Sequence, residues 1–168
     1  DPLWSRGLGD VYKRQRRGER TEPAKLVYFD PAQDVAVLRV MSLAAASLSL
    51  SARAPDVGVD VAAVGFPQDG PLVAVPLRVR GNVDAVGDDI YGTSSVDRSL
   101  LALQGPQLQP GISGAPIVDK QGRVVAMVVG ASTSQPGVGF AIPGFVLRSA
   151  VDQARATGKP IKQTSCID

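Results

Sequence analysis

The sequence predicts an all-β protein built as two β-barrels, with one helix near its C-terminal end. Short apolar segments rich in Val and Leu recur along the chain, and 18 glycines and 13 prolines provide frequent turns between them. A helical period of 3.6 is found only near the end. The 168 residues suffice for one ordinary domain or for two small barrels that share a cleft.

Composition excludes several classes of partner. The formal charge is +2, and the basic residues concentrate in 13–20, which we interpret as a solvated tail. No segment approaches the roughly 18 consecutive apolar residues of a membrane span. The visible sequence therefore predicts neither a nucleic-acid partner nor a membrane segment of its own.

Residues 1–15, DPLWSRGLGDVYKRQ, differ from the rest of the chain. They hold the only Trp and follow neither a period of 2 nor one of 3.6. The string resembles a translated sequencing-adapter read-through, so we interpret it as non-native and exclude it from the fold. The chain is then expected to be a fragment whose native start lies upstream.

Residues 16–54 are predicted to be the remnant of a first barrel. Segments 25–30 and 34–40 have the Val-rich, partly alternating pattern of strands, with a turn at 31–33. An Ala/Ser-rich connector follows at 43–55 and leads to the second barrel.

Residues 55–145 are predicted to form a complete second barrel, and 146–168 a helix and a tail that carries Cys166. The expected strands are 59–65, 72–86 (one strand, or two broken near Gly81), 99–104, 115–118, 123–129 and 137–142. In the helix, Leu147, Ala150, Val151 and Ala154 share one face, and Gly158 followed by Pro160 ends it.

The segment 107–118, QLQPGISGAPIV, carries the chemistry. Glycines around Ser113 permit an unusual backbone and a close approach of substrate. The amides of Gly111 and Ser113 can then converge on one point and stabilise an oxyanion. The alternative is a plain Ser/Gly/Pro turn. The hydrolase elbow G-x-S-x-G is excluded, because Ala115 replaces its last glycine and a hairpin follows where that elbow needs a helix.

This segment and its sequel, PGISGAPIVDKQGRVVAMVVG and GVGFAIP, resemble the nucleophile region of trypsin-like and HtrA-like serine proteases. The segment 30–39, DPAQDVAVLR, is similar to the D-x-x-x-D-[IV]-A-[VL]-L motif of the same family. The two motifs occur in the family's order along the chain. This favours the family's role for Asp34 over the interpretation of Asp34 as a solvated carboxylate in a turn. The resemblance implies a chymotrypsin-like double β-barrel whose first barrel is here only partial.

A narrower resemblance is to the MarP-type membrane-anchored serine proteases of the bacterial periplasm. It rests on VGFPQDGP at 64–71, DIYGT at 89–93 and a cysteine near the end. This likeness implies an exported protein, anchored by an N-terminal region missing here, in which Cys166 pairs with a cysteine of that region. In a reducing compartment a lone tail cysteine would need no partner.

The family resemblance also implies roles for single residues. Ser113 would be the nucleophile, Asp34 would orient a histidine, and the amides of Gly111 and Ser113 would form the oxyanion hole. Gln107 would lie at the floor of the specificity pocket, where a neutral side chain argues against a preference for Lys or Arg. Gly130, Ala131 and Ser132 would pair with the substrate backbone.

Three departures from the family pattern qualify these roles. Ile112 replaces Asn, and its side chain is expected to point away from substrate. Ala115 replaces Gly, and would strain the loop if its φ were positive. The sequence contains no histidine, which we attribute to truncation rather than to loss by evolution.

The function predicted for the intact protein is therefore a serine endopeptidase that acts on proteins or peptides. The fragment itself is expected to be inactive. Alternatives are a pseudoprotease that binds peptides without cleaving them and a β-barrel interaction domain of other ancestry. No metal or organic cofactor is implied, since the chain has no histidine and one cysteine.

Overall fold

A computed structural model describes residues 13–17, 20–41, 45–88, 91 and 94–161. It contains a three-stranded antiparallel sheet, then a closed six-stranded barrel and a helix. The elements are β1 (Lys13–Arg17), β2 (Arg20–Asp30), β3 (Val35–Val40), β4 (Asp60–Gly65), β5 (Val73–Asp88), β6 (Ser95–Gln104), β7 (Pro116–Val118), β8 (Val124–Ala131), β9 (Val138–Pro143) and α1 (Gly144–Thr157). The all-β fold class with a C-terminal helix is confirmed; the division into four segments stays a prediction.

The barrel is closed by pairing between its first and fourth strands in sequence. Its strands neighbour one another in the order β4-β5-β6-β9-β8-β7, and β7 returns to β4 through the pair Ala62 and Val118. Alternate residues point inward and fill the ring. Leu101, Leu103 and Ile117 are among the largest side chains that are fully buried there. Along the length of β7 the ring has no unpaired edge that could attract another chain.

The long segment predicted as one strand or two is the single strand β5. It contains a β-bulge between Val79 and Gly81, where Gly81 has a φ of +139°. Glycine adopts this conformation without a Cβ penalty. A bulge bends the strand and increases its twist. The break that the sequence predicted near Gly81 is therefore the point where β5 curves around the barrel.

The basic run at 13–20 is not simply a tail. Its first part is β1, which pairs antiparallel with β2 from Lys13 opposite Ala24 to Arg17 opposite Arg20. The sequence KRQRR has no alternation of polar and apolar residues, so periodicity could not reveal this strand.

The sheet, the barrel wall and the helix meet in a second apolar cluster. Val35 of β3 packs there with Leu100 of β6, Ile142 of β9 and the helix residues Leu147 and Ala150. The predicted apolar face of α1 is confirmed, since Leu147, Ala150 and Ala154 are buried and Val151 half-buried. The helix ends at Gly158, which is left-handed with a φ of +63°. No helix in the described part of the chain is both long and apolar enough to cross a membrane.

Candidate active site

The turn before β7 presents Ser113 at the surface. Gly111 and Gly114 flank it with φ values of +86° and +83°, the left-handed region that glycine enters freely. Ile112 lies between them with its side chain 3% exposed in the barrel core. This burial explains why a large apolar residue occupies the position: it anchors the turn while its neighbour Ser113 faces solvent.

Hydrogen bonds fix this turn against β8. The Ser113 hydroxyl donates to the carbonyl oxygen of Val129 at 2.9 Å. The Gly114 amide donates to Val128 at 2.8 Å, and the Val128 amide donates to Ala115 at 2.9 Å. The nucleophile candidate is therefore held beside the strand that the sequence predicts to bind substrate.

Two amides at this turn are available for an oxyanion. Within the described residues, neither the amide of Gly111 nor that of Ser113 donates a hydrogen bond to a protein acceptor. The amide between them, that of Ile112, instead donates to Gln109 at 3.3 Å. Where two such donors converge on one point, they stabilise the negative charge that develops on a substrate carbonyl during acyl transfer.

The direction of the Gly111 amide is set by Gln68, which the sequence did not single out. Gln68 lies in the 3₁₀ turn Pro67–Asp69 after β4, and its amide donates to the Pro110 carbonyl at 3.2 Å. Carbonyl and amide of a trans peptide point in opposite directions. The Gly111 N–H therefore points away from Gln68.

The Gln68 contact also explains why residue 111 is glycine. A Cβ at Gly111 would lie 2.9 Å from the Gln68 nitrogen, closer than real Cβ contacts. Gln68 itself has a φ of +54°, a conformation that few non-glycine residues adopt. Nothing in the segment FPQDG distinguishes a left-handed Gln from an ordinary turn residue, so sequence reasoning missed it.

Ala115 does not have the positive φ that would strain the loop. Among the described non-glycine residues, a positive φ is found at Asp34 and Gln68, not at Ala115. Ala115 is buried, and its Cβ lies 3.0 Å from the position that a Cβ on Gly65 would take. The methyl group therefore packs against the bare backbone of Gly65, and the replacement of Gly by Ala does not distort the turn.

Asp34 lies on the other sheet, at the end of the turn between β2 and β3. It is exposed and has a φ of +56°. Asp tolerates the left-handed region better than most residues. Among the described residues, its carboxylate accepts no hydrogen bond and forms no ion pair. The structure thus brings Ser113, Gly111 and β8 together, whereas Asp34 makes no recorded polar contact with any of them.

The turn that presents Asp34 is held by Asp30. One carboxylate oxygen of Asp30 accepts the amides of Ala32 and Gln33, each at 3.0 Å, and the other accepts the Tyr28 hydroxyl at 3.3 Å. Burial, followed by the negative charge of Asp30, raises the pKa of Tyr28 above its ordinary value. The tyrosine therefore stays a hydrogen-bond donor to Asp30 at neutral pH.

The strand beyond Ser113 offers an open edge. Strand β7 begins at Pro116, opposite Met127, while β8 continues to Ala131 with β9 as its neighbour on the other side. No strand in the described chain covers the β7 side of Gly130 and Ala131. Ser132 closes the β8–β9 hairpin instead: its amide donates to Val138 at 2.8 Å, and its hydroxyl accepts the amide of Gln135 at 3.0 Å.

Gln107 is exposed, while the next residue is not. Leu108 is 6% exposed and packs over Gly139 of β9, where a Cβ would lie only 2.6 Å from its Cδ1 atom. Cys166 lies outside the described residues. Among those described, no group of three or more His, Cys, Asp or Glu side chains is placed to hold a metal ion.

Comparison with known proteins identifies the family. The family model described as a trypsin-like peptidase domain matches residues 7–127, a range that includes both Asp34 and Ser113. The chain belongs to this family. The match begins inside 1–15, and the interpretation of that segment as non-native stays a prediction.

Two named relatives support the assignment. Serine protease Rv3671c of Mycobacterium tuberculosis is 30% identical over 151 residues, covering 89% of this chain and 38% of the relative. The crystal structure of its active form matches with a TM-score of 0.81 and 29% identity, over 92% of this chain and 68% of that chain. The chain is thus close to Rv3671c in sequence and structure, but spans about two fifths of the length of that curated relative.

An HtrA-type protease, AlgW with a decapeptide, matches with a TM-score of 0.65 and 24% identity. It covers 83% of this chain and 42% of that chain. At this level of identity the likeness shows the fold alone, and the fold is the chymotrypsin-like one expected from the sequence.

Proposed function

We propose that the intact protein is a serine endopeptidase in which Ser113 attacks the substrate carbonyl. The observation that carries the proposal is the turn of Ser113 itself. Two left-handed glycines expose its hydroxyl beside β8, and the nearby amides of Gly111 and Ser113 have no protein acceptor among the described residues. A plain surface turn has no need of two donors without protein acceptors.

In the proposed reaction, a histidine from the part of the protein upstream of this chain takes the proton of Ser113. Asp34 orients that histidine and stabilises its charged form. The tetrahedral intermediate places its oxyanion on the amides of Gly111 and Ser113. The same histidine then donates its proton to the leaving amine.

The substrate is proposed to be an extended peptide that adds to the open edge of β8 at Gly130 and Ala131. Main-chain hydrogen bonds of this kind bind a peptide with little regard to its sequence. The structural neighbour AlgW was solved with a decapeptide, which supports a peptide ligand for the fold. Exposed, neutral Gln107 offers no fixed charge to select Lys or Arg.

This chain, which has no histidine, is proposed to be inactive. Loss of the general base lowers turnover by about 10⁶-fold in a related triad. The test is to express this chain and the intact gene product side by side, each with a matched Ser113→Ala variant. Labelling of Ser113 by a fluorophosphonate and hydrolysis of a peptide library are measured for all four proteins.

The expected result is labelling and hydrolysis by the intact protein alone, both abolished by Ser113→Ala. Hydrolysis by this chain that depends on Ser113 would overturn the proposed role of the upstream histidine. An intact protein that neither labels nor cleaves would overturn the peptidase assignment.

A second candidate function, a peptide-binding pseudoprotease, is favoured by one observation: the open edge of β8 could bind a peptide through its main chain without any histidine. The intact sequence distinguishes the two. A histidine on a strand upstream of β2 supports the enzyme, whereas another residue there, together with binding of uncleaved peptides measured by calorimetry, supports the binder.

We further propose that the intact protein is exported and membrane-anchored, with Cys166 in a disulfide to the upstream region. This proposal depends on the resemblance alone. Fractionation of cells that express the intact protein tests its location, and peptide mapping without reductant tests the disulfide. A soluble cytoplasmic protein with a free Cys166 thiol would contradict both.

A further inference from the structure

Arg98 connects the barrel to the turn that presents Asp34. It lies on β6, is half-buried, and reaches Ala32, which is 66 residues away in sequence. Its Nε donates to the carbonyl oxygen of Ala32 at 2.5 Å, and one terminal nitrogen donates to Pro31 at 3.4 Å. One guanidinium therefore spans two consecutive carbonyls of the 31–34 turn.

The turn has two kinds of support, and they do different things. Asp30 fixes its internal shape, because the carboxylate binds two amides of the same turn. That local bond would persist wherever the turn were placed. The Arg98 bonds instead join the turn to the barrel, which carries Ser113.

The Asp34 side chain has no polar partner of its own in the described chain, so its position follows from its backbone. That backbone is left-handed at Asp34 and continues directly into β3. A planar guanidinium sets both distance and direction for its acceptors, whereas an ammonium group is a point charge with rotating donors. Arg98 is thus suited to fix where Asp34 stands.

We propose that Arg98 is a positioning residue for the proposed catalytic triad, acting through Asp34. By binding the 31–34 turn from β6, it fixes the Asp34 carboxylate relative to Ser113. The inference rests on the proposed function and adds a residue that the family motifs do not include.

The test uses the intact protease with Arg98→Ala and the conservative Arg98→Lys. Arg80→Ala is the matched control, because Arg80 lies on the neighbouring strand β5, is exposed, and donates to Gln104 within the barrel at 3.3 Å. Arg98→Ala is expected to lower kcat by about 10- to 100-fold with KM nearly unchanged, since small misplacements near the chemistry have effects of this size. Arg98→Lys restores part of the rate, and Arg80→Ala behaves as wild type.

A double-mutant cycle separates positioning from general stabilisation. In an Asp34→Asn background, Arg98→Ala is expected to lower kcat no further, because the carboxylate on which it acts is gone. A structural role would give the same fold-loss in both backgrounds. Melting temperatures identify any variant that fails to fold, and Arg98→Lys then provides the comparison.

The outcomes are distinct. If the wild-type intact protein hydrolyses no peptide, the proposed function fails, and this inference fails with it. If the wild type is active but Arg98→Ala matches Arg80→Ala, or lowers kcat equally with and without Asp34, the inference alone is overturned.

Discussion

The barrel and the three-stranded sheet differ in how completely each buries its own apolar face. The barrel is closed and encloses fully buried side chains such as Leu101, Leu103 and Ile117. Among the described residues no further strand pairs with either edge of the sheet, and Val35 is buried against the helix and barrel wall. Ser113 and its proposed oxyanion donors thus belong to the self-contained unit, and Asp34 to the dependent one.

Few contacts hold the sheet in place. Val35 packs in the second cluster with half-buried Tyr28 and Val37 beside it. Besides these side chains and the Arg98 bonds, Arg39 donates to the Gly158 carbonyl and the Ile161 amide donates to Leu26, each at 2.9 Å. Regions with few buried contacts open first in the native state. The comparison therefore predicts that the Asp34 side of the site is lost before the Ser113 side.

The strongest test of this difference between barrel and sheet is a matched pair of Leu→Ala substitutions, one in each core. Leu103→Ala in the barrel is expected to lower the free energy of unfolding by about 4 kcal/mol, because a closed ring cannot collapse onto the cavity. Leu26→Ala in β2 is expected to lower it by about 2 kcal/mol, since an open sheet can relax. Urea unfolding measures both, and equal losses would show that the sheet relaxes around the deleted side chain no more than the barrel does.

The next prediction tests whether the oxyanion turn depends on the barrel alone. Gly111→Ala forces a Cβ against Gln68 and is expected to lower kcat of the intact protease about 100-fold, or about 2.7 kcal/mol. The control is Gly122→Ala in the β7–β8 hairpin, which has a similar φ of +75° with nothing within 4 Å of a Cβ. Both variants carry similar backbone strain.

The control variant is therefore expected to retain wild-type kcat. Equal losses of activity in Gly111→Ala and Gly122→Ala would mean that strain, not the contact with Gln68, decides the effect. The same result would remove Gln68 from the account of the oxyanion hole.

Sequence patterns predicted the structural features that depend on residues close together in the sequence. The strands of the barrel, the helix face and the turn around Ser113 all followed from spacing, glycine and proline. The bend in β5 was located at Gly81, although its consequence, a bulge within one strand, depends on how the barrel closes. The strand β1 has no such pattern and was missed.

Two features of the site depend on partners distant in sequence and could not be predicted. Gln68 is left-handed, and its amide binds Pro110, 42 residues later by numbering. Arg98 binds main-chain carbonyl oxygens. Every residue has such an oxygen, so the sequence does not indicate which one is the acceptor. Main-chain acceptors of this kind are visible only once the fold places the two segments together.

A smaller effect concerns the hairpin opposite the site, which Asp119 stabilises much as Asp30 stabilises the β2–β3 turn. Burial opposes the charge of Asp119, but the amides of Arg123 and Gln121 and the Arg123 guanidinium outweigh it, so that its pKa is lowered from 3.8. Asp119→Asn is expected to lower the free energy of unfolding at neutral pH by about 1.5 kcal/mol.

The pH dependence follows from the lowered pKa. The ionised form is favoured in the folded state, so the contribution is complete above 3.8 and is lost as pH falls through the folded value. Unfolding measured from pH 7 to pH 2 should show the variant and wild type converging at low pH. Asp97→Asn, an exposed carboxylate on β6 without a recorded partner in the described chain, is the control. A constant difference between Asp119→Asn and wild type would refute the assignment.

The smallest expected effect is at the ion pair on α1, the element through which the sheet is attached. Arg148 and Asp152 are 3.8 Å apart, and their side chains are 54% and 60% exposed. Pairs this exposed contribute at most about 0.5 kcal/mol and are screened by salt. Arg148→Ala should therefore change the free energy of unfolding by less than that, with the difference reduced further in 1 M salt.

A salt-independent loss above about 1 kcal/mol would instead mean that the alkyl stem of Arg148 covers Leu147 and Val151, which line the same groove. The attachment of the sheet would then depend on packing at the helix surface as well as on Val35.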